Sequence, residues 1–339
     1  MCDPPAGLVR PVRPDPSGVA GPTRHLAAQA GRGGADWRRV WRGWYVPAHV
    51  DPTVPEQRVM EAAVLLPPGG AVTGWGALRL HGATFFDGRT TSGAELPVEL
   101  VTPHSRADLP GVTWRQDDLG PHDVMVRQGV SVTRPERAVL DAMRRAPDDR
   151  TAVRHLDMAC AAELVSIARV AGYAADRPGW VGMPRVAVGV ELADERTRSP
   201  AECDLRLVWR LDAGLPPPHV NVPVFSRDSR LLGIVDLLDE EAGLVVEFDG
   251  ADHAGARRRS DDAAREGGLR GHRLEVERVT GYDLHHRDDL AGRLHAARRR
   301  ARWLPAGERP WTLDPPPGWR QSPPLDVLLA VRDLERGAG

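Results

Sequence analysis

The segment that most constrains this chain is the apolar run Leu244-Val245-Val246 leading into Glu247-Phe248-Asp249-Gly250, with Asp236 eleven residues before Glu247. Val, Ile and Leu runs of this length, bounded by turn residues, have the pattern of buried strands. Two strands are expected, Leu231–Leu237 and Leu244–Phe248, joined by the acidic turn Asp239-Glu240-Glu241-Ala242-Gly243. A buried strand rarely carries carboxylates, because an unpaired ionised side chain is costly away from water. Three acids at the ends of adjacent apolar strands therefore ask for a metal ion, a cationic partner or an exposed sheet edge.

Composition narrows the choice. A chain of 339 residues accommodates two domains of roughly 100–200 residues each. Its net charge of −2 argues against binding nucleic acid by bulk basicity. All 45 Lys+Arg residues are Arg. Without lysine, Schiff-base chemistry, a P-loop and any catalytic Lys are excluded. Cys2, Cys160 and Cys203 are widely spaced, which suggests neither a disulfide framework nor a zinc site. The start Met1-Cys2-Asp3-Pro4-Pro5 lacks the features of a signal peptide, and no stretch approaches the ~20 apolar residues of a membrane span. A soluble, cytoplasmic protein with no membrane association is expected.

Residues 1–36 are rich in Pro, Gly, Ala and Arg without periodicity and read as a disordered segment. Val40–Pro47 reads as an aromatic strand or hairpin, Pro55–Leu66 and Val72–Gly82 as helices, and Leu96–Thr102, Val112–Arg115 and Val124–Val126 as strands. Thr133-Arg134-Pro135-Glu136 and Ser199-Pro200-Ala201-Glu202 have capping-box spacing, each expected to open a helix. Another helix is expected over Asp149–Leu164. From residue 199 the order is α-β-β-β-α-β-α, with strands at Val220–Phe225, Leu231–Leu237, Leu244–Phe248 and Arg273–Val279 and helices near Ser260–Arg270 and Asp288–Leu304. That order implies a mixed sheet flanked by helices. Residues 305–324 read as a Pro-rich linker before a short helix, Leu325–Leu334.

The candidate acids are Glu202, Asp236, Glu247 and Asp249, with His253 four residues beyond Asp249. Phosphodiester hydrolysis needs a divalent ion to neutralise developing charge and generate hydroxide near neutral pH. Mg²⁺ takes one or two carboxylates together with water and substrate phosphate. Glu247 and Asp249 lie two apart, on one face of a strand. Two of the acids have an ordinary explanation, helix capping for Glu202 and a strand end beside a turn for Asp236, while Glu247 and Asp249 together on an apolar strand are harder to dismiss. Arg257-Arg258-Arg259 can clamp phosphates, as guanidinium groups do bidentately, or simply be a solvated loop. Arg298-Arg299-Arg300 reads as a solvated helix face. Arg265 has the helical spacing to pair with Asp261 or Asp262.

Taken in order, Ser199-Pro200-Ala201-Glu202, Ala213-Gly214-Leu215-Pro216, Gly233-Ile234-Val235-Asp236, Val246-Glu247-Phe248-Asp249-Gly250 with His253, Asp262 with Arg265, and Val276-Glu277-Arg278-Val279 resemble the very-short-patch-repair-like (Vsr-like) endonuclease domains of the PD-(D/E)XK nuclease superfamily. The resemblance covers about residues 196–304. Residues 37–195 more weakly resemble the region beside such domains in proteins similar to AbiEi-type antitoxins. It rests there on Arg42-Gly43-Trp44-Tyr45-Val46, Ala77–Gly82 and Val132-Thr133-Arg134-Pro135-Glu136-Arg137 with Leu140-Asp141. The resemblance implies an α/β restriction-endonuclease-like fold, a mixed sheet flanked by helices, preceded by a mixed α+β region and followed by the 305–339 tail. It implies Asp236 and Glu247 as ligands of Mg²⁺ or Mn²⁺, Glu202 as an assisting helix acid, and DNA as the partner. Asp249 stands where the superfamily has its signature lysine, so a variant is implied in which Asp249 is a third metal ligand and His253 a general base or a support to it. Arg257, Arg258, Arg259 and Arg265 are the expected DNA contacts. The alternative is an inactive nuclease-fold DNA-binding regulator of the antitoxin type, with a partner protein.

Overall fold

The computed structural model describes residues 7–32, 35–250 and 265–337. The expectations placed on Cys2, His253, Arg257, Arg258, Arg259, Asp261 and Asp262 lie outside the described residues. The protein is mixed α/β and divides into two compact units, Met1–Arg145 with Gly172–Gly182, and Ala146–Ala171 with Met183–Gly339. The boundary expected near residue 195 therefore moves. Helices α5 (Asp149–Ala161) and α7 (Met183–Leu192) belong with the second unit, where Val153 and Leu192 share an apolar cluster with Cys203 and Leu207 of α8 (Pro200–Leu207). The buried Arg206 donates to Asp157 Oδ2 at 2.5 Å and ties α8 to α5. No local sequence signal announces such a pairing across about fifty residues of chain.

In the first unit, the N-terminal segment expected to be disordered is ordered over its described part. Thr23 caps α1 (Arg24–Gln29), and Val12 exchanges backbone hydrogen bonds of 2.8 and 2.9 Å with Tyr45. The aromatic segment forms the hairpin β1 (Trp37–Trp41) and β2 (Trp44–Pro47), followed by helix α2 (Pro55–Ala63). A mixed five-stranded sheet has the order β5-β4-β3-β7-β6, formed by Val112–Gln116, Val98–Thr102, Ala71–Thr73, Val130–Thr133 and Val124–Arg127. The helix expected over Val72–Gly82 instead splits into β3 and α3 (Gly74–Leu80), with Gly74 at φ 57° making the turn. Only a residue tolerant of the left-handed region fits there. The Thr133–Glu136 capping box does not form, because Thr133 ends β7 and Arg134 caps helix α4 (Pro135–Arg144) without a side-chain bond. Thr133 donates instead to Thr73 Oγ1 at 3.1 Å, and Thr73 donates to the buried Asp141 at 2.6 Å.

In the second unit a five-stranded sheet has the order β11-β10-β9-β8-β12. The strands are β8 (His219–Ser226), β9 (Leu231–Asp239), β10 (Leu244–Asp249), β11 (Glu275–Thr280) and β12 (Trp311–Thr312). β10 and β11 run parallel and the other pairs antiparallel, which gives the mixed sheet expected from the element order. On one face, Val220, Leu237, Leu244 and Val246 pack with Trp209 and with Leu290 and Leu294 of α11 (Arg287–Arg300). On the other, Val222, Val224, Val235, Leu238 and Val245 pack with Leu269, Leu274 and Trp311. Residues 305–324 are thus more than a linker, since they contribute β12 and the buried Trp311. Helix α12 follows over Leu325–Gly337. Among the described residues no helix is long and apolar enough to cross a membrane.

Candidate active site

The acids meet where the β9–β10 ladder comes apart. Its registered pairs run from Leu244 opposite Asp239 to Val246 opposite Leu237 and go no further. Past that point the half-buried Asp236 replaces the missing backbone acceptor, and Phe248 donates its N–H to Asp236 Oδ2 at 2.8 Å. A strand that loses its ladder partner must find another acceptor for its backbone donors, and here a carboxylate supplies it. No described residue donates to Asp236 Oδ1.

A distortion on the neighbouring strand aims Asp236. Asn221 lies between the ladder pairs Val220 with Leu237 and Val222 with Val235, and it adopts φ 45°. Perfect alternation would put Val220 and Val222 on one face. They join opposite apolar clusters instead, as do Leu237 and Val235. Both strands therefore change face at Asn221 and Asp236. Asn tolerates the left-handed region better than most residues.

Glu202 enters from α8, whose N-cap Ser199 accepts from the Glu202 N–H at 3.2 Å. The Ser199–Glu202 start read from the sequence is thus present. The carboxylate bonds elsewhere: Glu202 Oε2 accepts from Arg198 N at 2.9 Å and from Asn221 Nδ2 at 2.7 Å. Asn221 thereby links Glu202 to the strand position beside Asp236.

Glu247 is 6 % exposed. Both of its oxygens are held by one guanidinium: Arg265 Nη1 donates to Oε1 at 2.7 Å and Nη2 to Oε2 at 3.0 Å. Arg265 is the first described residue of the helix that runs to 271 (α9), and it crosses β9 over Gly233, where a Cβ would stand 3.1 Å from Arg265 Cδ. Its Nη1 also donates to the Ile234 carbonyl at 3.1 Å. Burial pushes the carboxyls of Asp236 and Glu247 above their ordinary values. Glu202 repels Asp236, and Asp236 repels Glu247, in the same direction, while Arg265 opposes both. Neighbouring acids withdrawn from water and only partly neutralised form a site that favours added positive charge.

Two candidate residues have partners here that the sequence did not indicate. Arg265, read as a DNA contact or a partner of Asp261 or Asp262, is the ion-pair partner of Glu247. Asp249, read as a third metal ligand, is exposed and pairs with Arg278 at 3.4 Å, and Arg278 also holds Glu266 at 2.9 Å. Among the described residues no group of three or more His, Cys, Asp or Glu side chains is placed to hold a metal ion. The Arg-rich end of α11 is largely neutralised: Arg298 pairs with Asp239 and Glu241, and Arg300 with Glu275 and Glu277. Asn221 carried no signal in the sequence, being a polar residue in an alternating strand.

Asp236 and Glu247 offer hard carboxylate oxygens, with Asp236 Oδ1 unengaged by described residues, and this donor set fits a hard divalent cation. Arg265 competes for the Glu247 oxygens. Comparison with protein-family models, with curated proteins and with solved structures finds no match to this chain.

Proposed function

We propose that the second unit is a restriction-endonuclease-like domain acting as a metal-dependent DNA endonuclease. The observation that carries this reading is the pair Asp236 and Glu247 at the opening of the β9–β10 ladder, each carboxyl raised by burial and by a neighbouring acid. Asp236 and Glu247 would hold Mg²⁺ or Mn²⁺. When bound, such an ion neutralises charge on a phosphodiester and lowers the pKa of its water. Asp236 presents Oδ1 while the Phe248 N–H fixes Oδ2. Glu202, held by Arg198 and Asn221, places a further negative charge beside Asp236. Arg265 brings a guanidinium to the same point, suited to a phosphate oxygen.

Plasmid cleavage in Mg²⁺ or Mn²⁺ tests the reading. Wild type is expected to nick or linearise DNA, and Asp236→Ala and Glu247→Ala to lose at least about a hundredfold of that rate. Equal cleavage by all three proteins would refute it.

A second reading is favoured by the partners of Glu247 and Asp249. Each is engaged by an arginine, and Asp249 occupies the place of the superfamily's signature lysine. In that reading the fold binds DNA as a regulator of the antitoxin type without cutting it. It predicts DNA binding that survives Asp236→Ala, with no cleavage in any metal.

A further inference from the structure

Burying the Glu247 carboxylate requires a counter-charge, because an isolated ion at that depth is costly. Among the described residues Arg265 is the guanidinium bonded directly to it, and it takes both oxygens. The arginine itself is half-buried, with its side chain 32 % exposed. Gly233 leaves room for its stem, and among the described residues the charged head is held, apart from Glu247, by the Ile234 carbonyl, a neutral acceptor. It can therefore leave Glu247 without stranding a second buried charge.

Charge makes the two states of Arg265 unequal. The pair Asp236 and Glu247 carries two negative charges when ionised, and Arg265 cancels one. A divalent ion on the same carboxylates would repel the Arg265 guanidinium that already sits on Glu247. The Glu247 oxygens would also have to serve guanidinium and metal together. A phosphate at the metal offers the displaced guanidinium a new anion to pair with.

Building on the nuclease reading, we propose that Arg265 is an exchangeable counter-ion for Glu247. It closes the acid pair in the free protein, gives way to a divalent ion, and transfers to a DNA phosphate at the same place. Metal binding alone is consequently weak, and metal and DNA bind cooperatively.

Mn²⁺ titration of the full chain, read by the loss of free-Mn²⁺ electron paramagnetic resonance signal, tests this without reference to cleavage. Arg265→Gln is expected to bind Mn²⁺ about tenfold more tightly than wild type, the scale of one charge-assisted hydrogen bond. Arg265→Lys, which keeps the charge but reaches one oxygen at a time, is expected to fall between them, and it carries the test if Arg265→Gln does not fold. A DNA duplex is expected to tighten Mn²⁺ binding by wild type and to have little effect on Arg265→Gln. Mn²⁺ binding by wild type that neither variant improves would overturn the counter-ion proposal and leave the metal reading standing. No Mn²⁺ binding by any of the three, with or without DNA, would overturn both.

Discussion

Asn221 donates through Nδ2 to Glu202 Oε2 at 2.7 Å and to the Arg196 carbonyl oxygen at 2.8 Å, from a backbone held at φ 45°. One side chain thus joins the start of α8 to the strand position beside Asp236.

Two substitutions separate its roles. Asn221→Ala loses both hydrogen bonds and keeps a Cβ in the left-handed region, a conformation that costs about 1–2 kcal/mol for an L residue. Asn221→Gly loses the same bonds and relaxes the backbone. Chemical denaturation is expected to show Asn221→Ala less stable than Asn221→Gly by about 1 kcal/mol. Equal stabilities would mean that the backbone conformation is unstrained.

Gly233→Ala probes the seat of Arg265. The added methyl would stand 3.1 Å from Cδ and 3.3 Å from Cγ of that side chain, tighter than ordinary contact, so the arginine stem must shift. A shifted guanidinium loses part of its grip on Glu247. The variant is expected to be less stable by about 1 kcal/mol in urea, the usual net worth of a hydrogen bond. A variant of full stability would show that the stem moves aside while keeping both bonds.

Trp311→Ala tests whether the Pro-rich tail belongs to the second unit. Trp311 is buried, lies on the strand paired with β8, and packs with Val222, Val224 and Val245 on one face of the sheet. Truncating a buried tryptophan to alanine costs about 3–5 kcal/mol. A loss below about 1 kcal/mol in thermal or chemical denaturation would restore the view of residues 305–324 as a linker.

Acid sensitivity of the first unit is expected to centre on Asp141. Burial pushes its carboxyl up, but Arg145, Arg137 and Arg144 outweigh burial and hold it below the ordinary value of 3.8. A carboxyl with its folded pKa below its unfolded one contributes stability that is fully present above the unfolded value and lost as pH falls through the folded value. Melting temperature should therefore fall on acidification below 3.8. Asp141→Asn should already be destabilised at neutral pH by about 3 kcal/mol, because removing one partner of a buried pair strands the others. Its melting temperature should depend less on acid than that of wild type. An unchanged acid dependence would place the sensitivity elsewhere.

Much of the second unit was legible because its signals are local. The alternating and continuous apolar runs marked β8 to β11, and Ser199 announced the start of α8. The turn Asp239–Gly243 made β9 and β10 neighbours, which is why Asp236 and Glu247 could be expected together. The first unit was harder to read. β3 is three residues long, and β7 was hidden behind Thr133, whose hydroxyl donates to Thr73, itself the donor to Asp141, and not to a helix end. The Val132–Leu140 motif owes its Arg137 to burial: the guanidinium stacks on Trp180 at 4.4 Å and pairs with Asp117 and Asp141.

By itself the sequence determined where apolar strands lie and that carboxylates stand at their ends, since periodicity and turn chemistry act over a few residues. Tertiary structure alone decided which charge answers each carboxylate. Arg265 on Glu247, Arg278 on Asp249 and Asn221 on Glu202 are pairings made across strands and helices. Each depends on side chains converging within about 3 Å, the length of a hydrogen bond, and packing between distant segments sets that distance.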